Sequence, residues 1–308
     1  MGQRSEEVQV TGPSGGGHHG RPMKRILVTG ATGNIGREVV TQLRATGSRI
    51  RALSRNPQSA NLPHDVDVVG GDLSRSETLD ACLDGIDAVF LVWVAPIAAA
   101  AAAVERIAAQ AERVVFLSSP HRTAHPFFQQ PNALVSVHVG IERLLEMSGL
   151  RWTFLRPGPF ALNSRNWWAP QIQKGDVVRW FHGNAATAPV HERDIAAVAV
   201  RSLGDEGHGG KEHVLTGPES LTQREQVQII GDAIGRRLRF EELSPESARH
   251  ELLTRMPAAI ADMLLDAYAA AVGRPALVTS TVADVTGAPA RPFRDWAVEH
   301  AGEFRAPA

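Results

Sequence analysis

The clearest chemical signal in the chain is a set of three glycines, Gly30, Gly33 and Gly36, which follow a short apolar run and precede an apolar helical pattern. In this order, the first glycine allows a sharp turn, the second lets backbone N–H groups approach a phosphate, and the third lets a helix pack close to a sheet. The amino terminus of that helix adds a partial positive charge, which favours an anion. The spacing therefore predicts a loop that binds the pyrophosphate of a dinucleotide, although many glycine-rich loops bind no ligand.

The residues after the second predicted strand, at 49–54, bear on which dinucleotide is bound. An NAD site usually places a carboxylate there for the ribose 2′-hydroxyl, whereas an NADP site offers arginine. The chain has no acidic residue between Glu38 and Asp65, but Arg55 follows the strand directly. We therefore predict NADPH as the cofactor, with Arg55 as the leading phosphate ligand and Arg37 as the second. The alternative is that Arg55 is a solvated loop residue, as most surface arginines are.

The other candidates for the cofactor lie where predicted strands end. Asp72 and Leu73 follow the third strand, where the carboxylate would accept from an adenine amine and the leucine would pack on the ring. Ligands of parallel α/β sheets bind beyond the carboxyl ends of the strands, so the shared location of these loops is stronger evidence than any one of them. The predicted cofactor-binding residues are Gly30, Thr32, Gly33, Asn34, Ile35, Gly36, Arg37, Ser54, Arg55, Asp72, Leu73, Val92, Trp93, Ser118, Ser119, Pro157 and Phe160.

The elements that position these loops alternate regularly between strand and helix. Strands are expected at residues 26–29, 49–54, 65–69, 88–94, 113–117 and 151–156, with helices between them that include the alanine-rich segment 95–111. The fourth strand is apolar throughout, as in parallel sheets that are covered on both faces. Such alternation requires crossover connections. The sequence therefore predicts an α/β fold, a doubly wound parallel sheet of the Rossmann type with a smaller, mostly helical substrate lobe.

The 308-residue chain divides into three segments on this interpretation. Residues 1–22 lack a core pattern and are expected to be a disordered leader. Residues 23–156 are the NADP-binding core, and residues 157–308 supply the substrate lobe and returning segments of the core. No apolar run is long enough to cross a membrane, and the leader lacks the apolar centre of a secretory signal. We predict a cytoplasmic protein with no membrane partner.

Charge and cysteine content argue against several other classes. The 32 Lys and Arg residues nearly balance the 33 Asp and Glu residues, so a nucleic-acid partner is not expected. The single cysteine, Cys82, cannot form an internal disulfide, which fits a reducing compartment. His121, His125 and His138 invite a metal, but the loop that carries the first two has no carboxylate or cysteine at ligand spacing, so no metal site is predicted. An oligomer is left open.

Four sequence segments together resemble one known family. They are T-G-A-T-G-N-I-G at 29–36, H-x-x-I-E-R-L-L-E-x-S-G-L-R-W-T-F-L-R-P-G-P-F at 138–160, R-D-I-A-A-V-A at 193–199 and L-T-G-P-E at 215–219. This combination resembles the NmrA-like atypical short-chain dehydrogenase/reductases, nearest the NADPH quinone oxidoreductase and triphenylmethane reductase branch. The resemblance extends from residue 24 to residue 296. It implies a small aromatic or quinonoid substrate, and it places His138 at the helix position of the family.

One departure from the wider superfamily bears on the chemistry. Conventional members use a Tyr-x-x-x-Lys pair, in which the lysine lowers the pKa of the tyrosine so that the phenol exchanges a proton with a carbonyl oxygen. The only tyrosine here is Tyr268, and no lysine follows it at that spacing. We therefore predict hydride transfer by positioning an electron-poor ring beside the nicotinamide. His138 is the catalytic candidate as proton donor, and its alternative is a packed histidine hydrogen-bonded by Glu142.

The sequence as a whole predicts an NADPH-dependent reductase that transfers hydride to an aromatic, quinonoid or polyketide-like substrate without a Tyr/Lys pair. The aromatic loop 121–131 and the pair Trp167 and Trp168 are expected near that substrate. For the tryptophan pair, a place in the core is the alternative. Two other functions remain open: a non-catalytic NADP-sensing regulator, and an enzyme that retains NADP during a non-reductive step.

Overall fold

The fold is described by a computed structural model that covers residues 24–131 and 135–306, so the predicted leader at 1–22 lies outside the described residues. The strands are β1 (Arg25–Val28), β2 (Arg49–Ser54), β3 (Asp67–Gly70), β4 (Ala88–Leu91), β5 (Arg113–Leu117), β6 (Arg151–Pro157), β7 (Val177–Trp180), β8 (Ala186–Thr187), β9 (Lys211–Leu215), β10 (Leu221–Thr222) and β11 (Arg239–Glu242). The α-helices are α1 (Asn34–Ala45), α2 (Asp80–Leu83), α3 (Ala100–Gln110), α4 (Val135–Met147), α5 (Asn163–Ile172), α6 (Glu192–Gly204), α7 (Gln223–Ile234), α8 (Pro245–Leu253), α9 (Ala258–Ala271), α10 (Thr281–Thr286) and α11 (Phe293–Glu299).

A seven-stranded sheet forms the centre of the fold, with the strand order β3-β2-β1-β4-β5-β6-β9. Every neighbouring pair of strands in this sheet is parallel. From β1 the chain adds β2 and β3 on one side, and it then crosses to the other side of β1 to add β4. Ligands of such sheets bind between β1 and β4, where the direction of winding reverses, beyond the carboxyl ends of the strands. The predicted doubly wound parallel sheet is therefore confirmed.

Both faces of the sheet are buried because neighbouring residues of each strand point to opposite sides. In β1, Ile26 and Val28 belong to the core beneath α1 and α6. Leu27, between them, belongs to the core on the other face, with residues of α2, α3 and α4. All four residues of β4 are buried, which explains its continuously apolar sequence.

A separate core lies in the lobe formed after β6. Trp168, Trp180 and Trp296 are its largest fully buried side chains. Two small sheets support it, since β7 pairs with β11 and β8 pairs with β10. The later segments α6 and β9 return to the main sheet and its core. A division of the chain at about residue 156 stays a prediction.

Two elements near the carboxyl edge of the sheet end differently from the prediction. Strand β4 ends at Leu91 rather than at residue 94, because the N–H of Val92 donates to the side-chain oxygen of Thr29 at 2.7 Å instead of to a neighbouring strand. The segment predicted as one helix at 95–111 is a short 3-10 turn over Ile97–Ala99 followed by α3. Pro96 precedes that turn in an extended conformation, so the helix cannot begin earlier.

Within residues 24–131 and 135–306, no helix is both long enough and apolar enough to cross a membrane.

Candidate functional site

The loop between β1 and α1 has the backbone geometry that the glycine spacing predicts. Gly30 adopts a φ of +62°, in the left-handed region that favours glycine. The N–H of Gly33 donates to the carbonyl oxygen of Gly30 at 2.9 Å and closes the turn. A Cβ atom at Gly36 would lie 2.1 Å from the same oxygen, so a larger residue does not fit there. The amino terminus of α1 therefore begins directly against the turn, where it favours an anion.

A crevice of about 450 Å³ lies beyond the carboxyl ends of β1, β2, β3 and β4. Its wall combines the glycine loop with polar side chains from the loops after β2 and β3. Predicted cofactor residues that line it are Gly30, Thr32, Gly33, Ser54, Arg55, Asp72, Leu73 and Val92. Further lining residues, which the sequence analysis missed although three of them (Leu53, Asn56 and Val94) are next to a predicted one, are Leu53, Asn56, Ser59, Ala60, Val94 and Ala95.

The two arginines predicted to bind a phosphate have different surroundings. Arg55 is exposed on the crevice wall and forms no hydrogen bond or ion pair with the part of the chain that the structure describes. Arg37 donates to the carbonyl oxygens of Thr32 at 3.0 Å, Asn61 at 2.9 Å and Ala60 at 3.2 Å. Arg37 thus ties the glycine loop to the loop after β2. The geometry favours Arg55 as the phosphate ligand and Arg37 as a support for the crevice wall.

Asp72 and Leu73, predicted for an adenine ring, lie on the crevice wall beyond β3. Asp72 accepts from the N–H of Ser74 at 2.9 Å and from the Ser74 hydroxyl at 2.7 Å. These hydrogen bonds hold the pKa of Asp72 below its ordinary value, so the group is a carboxylate that only accepts. Such a group suits an amine donor, and its contact with adenine stays a prediction.

Several residues predicted for the cofactor pack elsewhere. Trp93 packs against the core beneath α3, whereas its neighbours Val92 and Val94 line the crevice. Ile35 is a buried residue of α1, and Phe160 packs between the core of the sheet and that of the lobe. The side chains of Trp93, Ile35 and Phe160 thus pack against the cores, and their contact with the cofactor stays a prediction. Three more predicted residues in the first turn of α1 lie outside the crevice lining: Asn34, Gly36 and Arg37.

A second cavity, of about 230 Å³, lies beyond the carboxyl ends of β5 and β6, next to the crevice along the same edge of the sheet. The loop after β5, the start of α5 and one face of α9 complete its wall. Its lining residues are Ser119, Pro120, His121, Phe127, Phe128, Gln130, Val135, Pro157, Gly158, Pro159, Asn163, Trp167, Met263, Leu264, Ala267 and Tyr268. None of these residues is Asp, Glu, Lys or Arg.

The aromatic wall of this cavity divides the predicted tryptophan pair. Trp167 is half-buried, lines the cavity and stacks on Trp180 with ring centroids 5.7 Å apart. Trp168 has no exposed surface and belongs to the core of the lobe. The structure therefore combines both interpretations of the pair, with one tryptophan at the cavity and one in the core. Ser119 and Pro157, predicted for the cofactor, also line this cavity rather than the crevice.

A buried ion pair fixes the floor beneath the cavity. Glu142 on α4 is fully buried and receives two hydrogen bonds from Arg156 on β6, at 3.0 and 2.7 Å. The hydroxyl of Ser118 donates to the same carboxylate at 2.6 Å. The hydroxyl of Ser118 is therefore hydrogen-bonded within the protein interior, whereas the adjacent Ser119 lines the cavity. The two serines, equivalent candidates by sequence, have different roles in the fold.

Two histidines lie near the cavity, and the one that lines it is His121 of the loop after β5, not the predicted proton donor His138. His138, the predicted proton donor, packs against Phe116 with ring centroids 6.0 Å apart and is not among the cavity-lining residues. His121 lines the cavity, with Nδ1 3.0 Å from the carbonyl oxygen of Ser119 and Nε2 3.4 Å from Glu142. Burial lowers the pKa of His121, although Glu142 opposes this shift. A catalytic role for His138 stays a prediction that the geometry does not favour.

Tyr268 is one of the cavity residues that the sequence analysis did not assign to the site. It lies on α9, is 2% exposed and meets Phe127, Phe181 and Trp167 edge-on, with ring centroids 5.2, 5.8 and 6.0 Å away. No local motif surrounds it, and more than a hundred residues separate it in sequence from the other side of the cavity.

No cluster of three or more His, Cys, Asp or Glu side chains that could hold a metal ion occurs among the described residues.

Comparisons with known proteins agree with this geometry. A family model described as NAD(P)H-binding matches residues 30–206. The chain is 40% identical to the (4-alkanoyl-5-oxo-2,5-dihydrofuran-3-yl)methyl phosphate reductase of Streptomyces griseus, over 91% of this chain and 99% of that enzyme. It is 33% identical to the NAD(P)H azoreductase of Xenophilus azovorans, again over 91% and 99%. The crystal structure of the NADPH-dependent quinone oxidoreductase of Escherichia coli matches with a TM-score of 0.75 and 25% identity, over 89% of this chain and 98% of that one.

Proposed function

The chain belongs to the NAD(P)H-binding family, as an oxidoreductase of the NmrA-like branch, and on that premise we propose that it is an NADPH-dependent reductase of a flat aromatic or quinonoid acceptor that carries no anionic group. One observation carries the proposal. A polar crevice with an unpaired arginine and an apolar, aromatic cavity without charged lining residues lie side by side at one edge of the sheet. The first suits a phosphorylated dinucleotide, and the second suits an aromatic ring without an anionic group.

The preference for NADPH over NADH rests on the crevice wall after β2. Arg55 supplies a guanidinium that forms no hydrogen bond or ion pair among the described residues, although its charge acts on Asp72 of the same crevice wall, and the loop around Arg55 has no carboxylate for a free 2′-hydroxyl. The glycine loop turns tightly because a Cβ at Gly36 would lie 2.1 Å from the carbonyl oxygen of Gly30, and such a loop lets backbone N–H groups approach a phosphate. When NADPH is bound, its nicotinamide supplies the hydride. The protein contributes binding, orientation and the exclusion of water.

The substrate class follows from the lining of the second cavity. Phe127, Phe128, Trp167 and Tyr268 offer aromatic faces and edges, on which planar rings pack favourably. A phosphate monoester, such as the substrate in the name of the Streptomyces griseus relative, normally requires arginine or lysine. The cavity wall offers neither, which supports an acceptor without an anionic group despite the closeness of that relative in sequence.

The absence of a tyrosine–lysine pair is compatible with this chemistry. A quinone spreads the incoming negative charge over its ring and both oxygens, and a cationic dye is neutralised by hydride. Neither acceptor requires a strong acid in the protein, so positioning supplies most of the rate enhancement. The rigid floor formed by Glu142 and Arg156 and the packed ring of Trp167 supply that positioning.

The test is a panel of acceptors mixed with the purified protein and NADPH, with oxidation followed by the absorbance of the reduced nicotinamide. We expect turnover with naphthoquinones and cationic dyes, and a lower kcat/KM with a phosphorylated furanone. Tight NADPH binding without oxidation by any acceptor would contradict the proposal and favour an NADP-sensing regulator. Product formation without net cofactor oxidation would favour a non-reductive enzyme, and a preference for the phosphorylated furanone would refute the proposed substrate class.

A further inference from the structure

We propose that the hydroxyl of Tyr268, contributed by α9 of the lobe, donates a hydrogen bond to the acceptor oxygen that becomes negatively charged during reduction. This inference rests on the proposed function and assigns a catalytic residue to its cavity. Tyr268 is not part of a Tyr-x-x-x-Lys pair, and it reaches the substrate from the lobe rather than from the sheet. Its role is that of a donor, without proton exchange with a neighbouring lysine.

The first observation is the lack of a protein partner for this hydroxyl. Buried tyrosine hydroxyls usually find a hydrogen-bond partner. Tyr268 is 2% exposed and lines the cavity, but its hydroxyl forms no hydrogen bond with any residue in the described ranges. A polar group that is nearly buried and still unsatisfied at a cavity wall points to a ligand that satisfies it.

The second observation is the rigidity of the ring. Phe127 from the loop after β5, Trp167 from α5 and Phe181 from the lobe all meet the ring of Tyr268 nearly at right angles, with interplanar angles of 86°, 80° and 88°. These contacts leave the ring one orientation, so the hydroxyl has a fixed position. A donor held in place before reaction stabilises developing charge better than one that must reorganise.

The third observation concerns the proton itself. Burial raises the pKa of Tyr268, so the phenol keeps its proton throughout the neutral range and acts only as a donor there. Four other polar side chains line the wall: Ser119, His121, Gln130 and Asn163. His121 has Nδ1 3.0 Å from the carbonyl oxygen of Ser119 and Nε2 3.4 Å from Glu142, without a hydrogen bond at Nε2, and Gln130 donates to a backbone oxygen, so both are turned to protein groups. Tyr268 is therefore better placed to donate to a ligand than either of them.

The experiment compares the full-length protein with Tyr268→Phe, which removes the hydroxyl and keeps the aromatic ring. With NADPH and 1,4-naphthoquinone, we expect kcat/KM to fall by about 10- to 100-fold, the range for a hydrogen bond to a charged group. A cationic triphenylmethane dye accepts hydride on carbon and develops no oxyanion, so its kcat/KM should change less than about twofold. The Kd for NADPH should not change.

A binding measurement separates this inference from the proposed function. In protein loaded with NADP⁺ no hydride is available, so the Kd for 1,4-naphthoquinone can be measured whether or not the enzyme turns it over. Tyr268→Phe should weaken this binding by about 2- to 10-fold, as expected for a neutral hydrogen bond. Wild-type protein that binds the quinone but never reduces it would refute the proposed function alone. Unchanged quinone binding in the variant, or equal losses of turnover for quinone and dye, would overturn the assignment of Tyr268.

Discussion

Arg55→Ala is expected to weaken NADPH binding and to leave NADH binding almost unchanged. The reason is geometric: Arg55 stands on the crevice wall and has no partner among the described residues, so its guanidinium is available to the 2′-phosphate that only NADPH carries. The variant removes no internal hydrogen bond within that part of the chain. Its effect on the fold should accordingly be small.

The magnitude follows from the kind of contact. A hydrogen bond to a charged group contributes about 1.5–3 kcal/mol, which corresponds to about 10- to 150-fold in Kd. Because Arg55 is exposed, salt screens the contact, and the lower end of that range is expected at physiological ionic strength. We therefore expect the Kd for NADPH to rise about tenfold, and more at low salt. Calorimetric titrations of NADPH and NADH at two salt concentrations measure this directly.

Arg37→Ala is the matched control, because this arginine also lies at the crevice but is engaged by the protein. It holds the glycine loop through the carbonyl oxygen of Thr32 and the loop after β2 through two more carbonyl oxygens. Loosening that wall should weaken both cofactors to a similar extent and lower the Tm. Equal losses for NADPH and NADH in Arg55→Ala, or a loss confined to NADPH in Arg37→Ala, would refute the assignment of the two arginines.

Three further predictions concern the support of the site. Gly36→Ala should abolish detectable NADPH binding in a fluorescence titration, since its Cβ would lie 2.1 Å from a carbonyl oxygen of the turn; normal affinity would show that the loop adapts. Glu142→Gln should lower the free energy of unfolding by about 1.5–3 kcal/mol in urea, because it removes the ionised acceptor of Arg156 and Ser118 while Arg156 keeps its ion pair with Glu212, and an unchanged free energy of unfolding would contradict this. The hydrogen bond to Glu192 raises the pKa of His300. Their contact therefore stabilises the fold fully below the ordinary histidine pKa of about 6.5, and this stabilisation is lost as the pH rises through the raised pKa of His300. The difference in Tm between wild type and His300→Gln should therefore shrink as the pH rises, and a difference that grows would oppose the assignment.

The sheet and the crevice could be predicted from the sequence because their determinants are local. The turn at Gly30 and the start of α1 depend on residues within one short segment. Strands that alternate with helices leave few possible topologies, so the carboxyl ends of β1 to β4 had to meet at one edge. Arg55 belongs to this predictable part, since it directly follows β2.

The substrate side of the site was less predictable because it depends on contacts between distant segments. His121 and His138 are both near β5 in sequence, and only the course of the loop decides which of them lines the cavity. Tyr268 reaches the same wall from α9 because its ring packs against Phe127. The hydrophobic pattern of α9 does not predict this contact. Trp93 shows a second reason why prediction fails. The apolar pattern identifies the strand segment, but it does not show that β4 ends at Leu91, and this end point decides which side chains face the crevice.

The position of Trp167 has a practical consequence. Its indole stands in the cavity wall, shielded by Trp180 on one side and open to a ligand on the other. An acceptor that stacks there changes the environment of a chromophore belonging to the protein itself. Occupancy of the cavity can therefore be followed without a label by the change in intrinsic emission of protein loaded with NADP⁺, which, unlike NADPH, does not absorb where tryptophan emits.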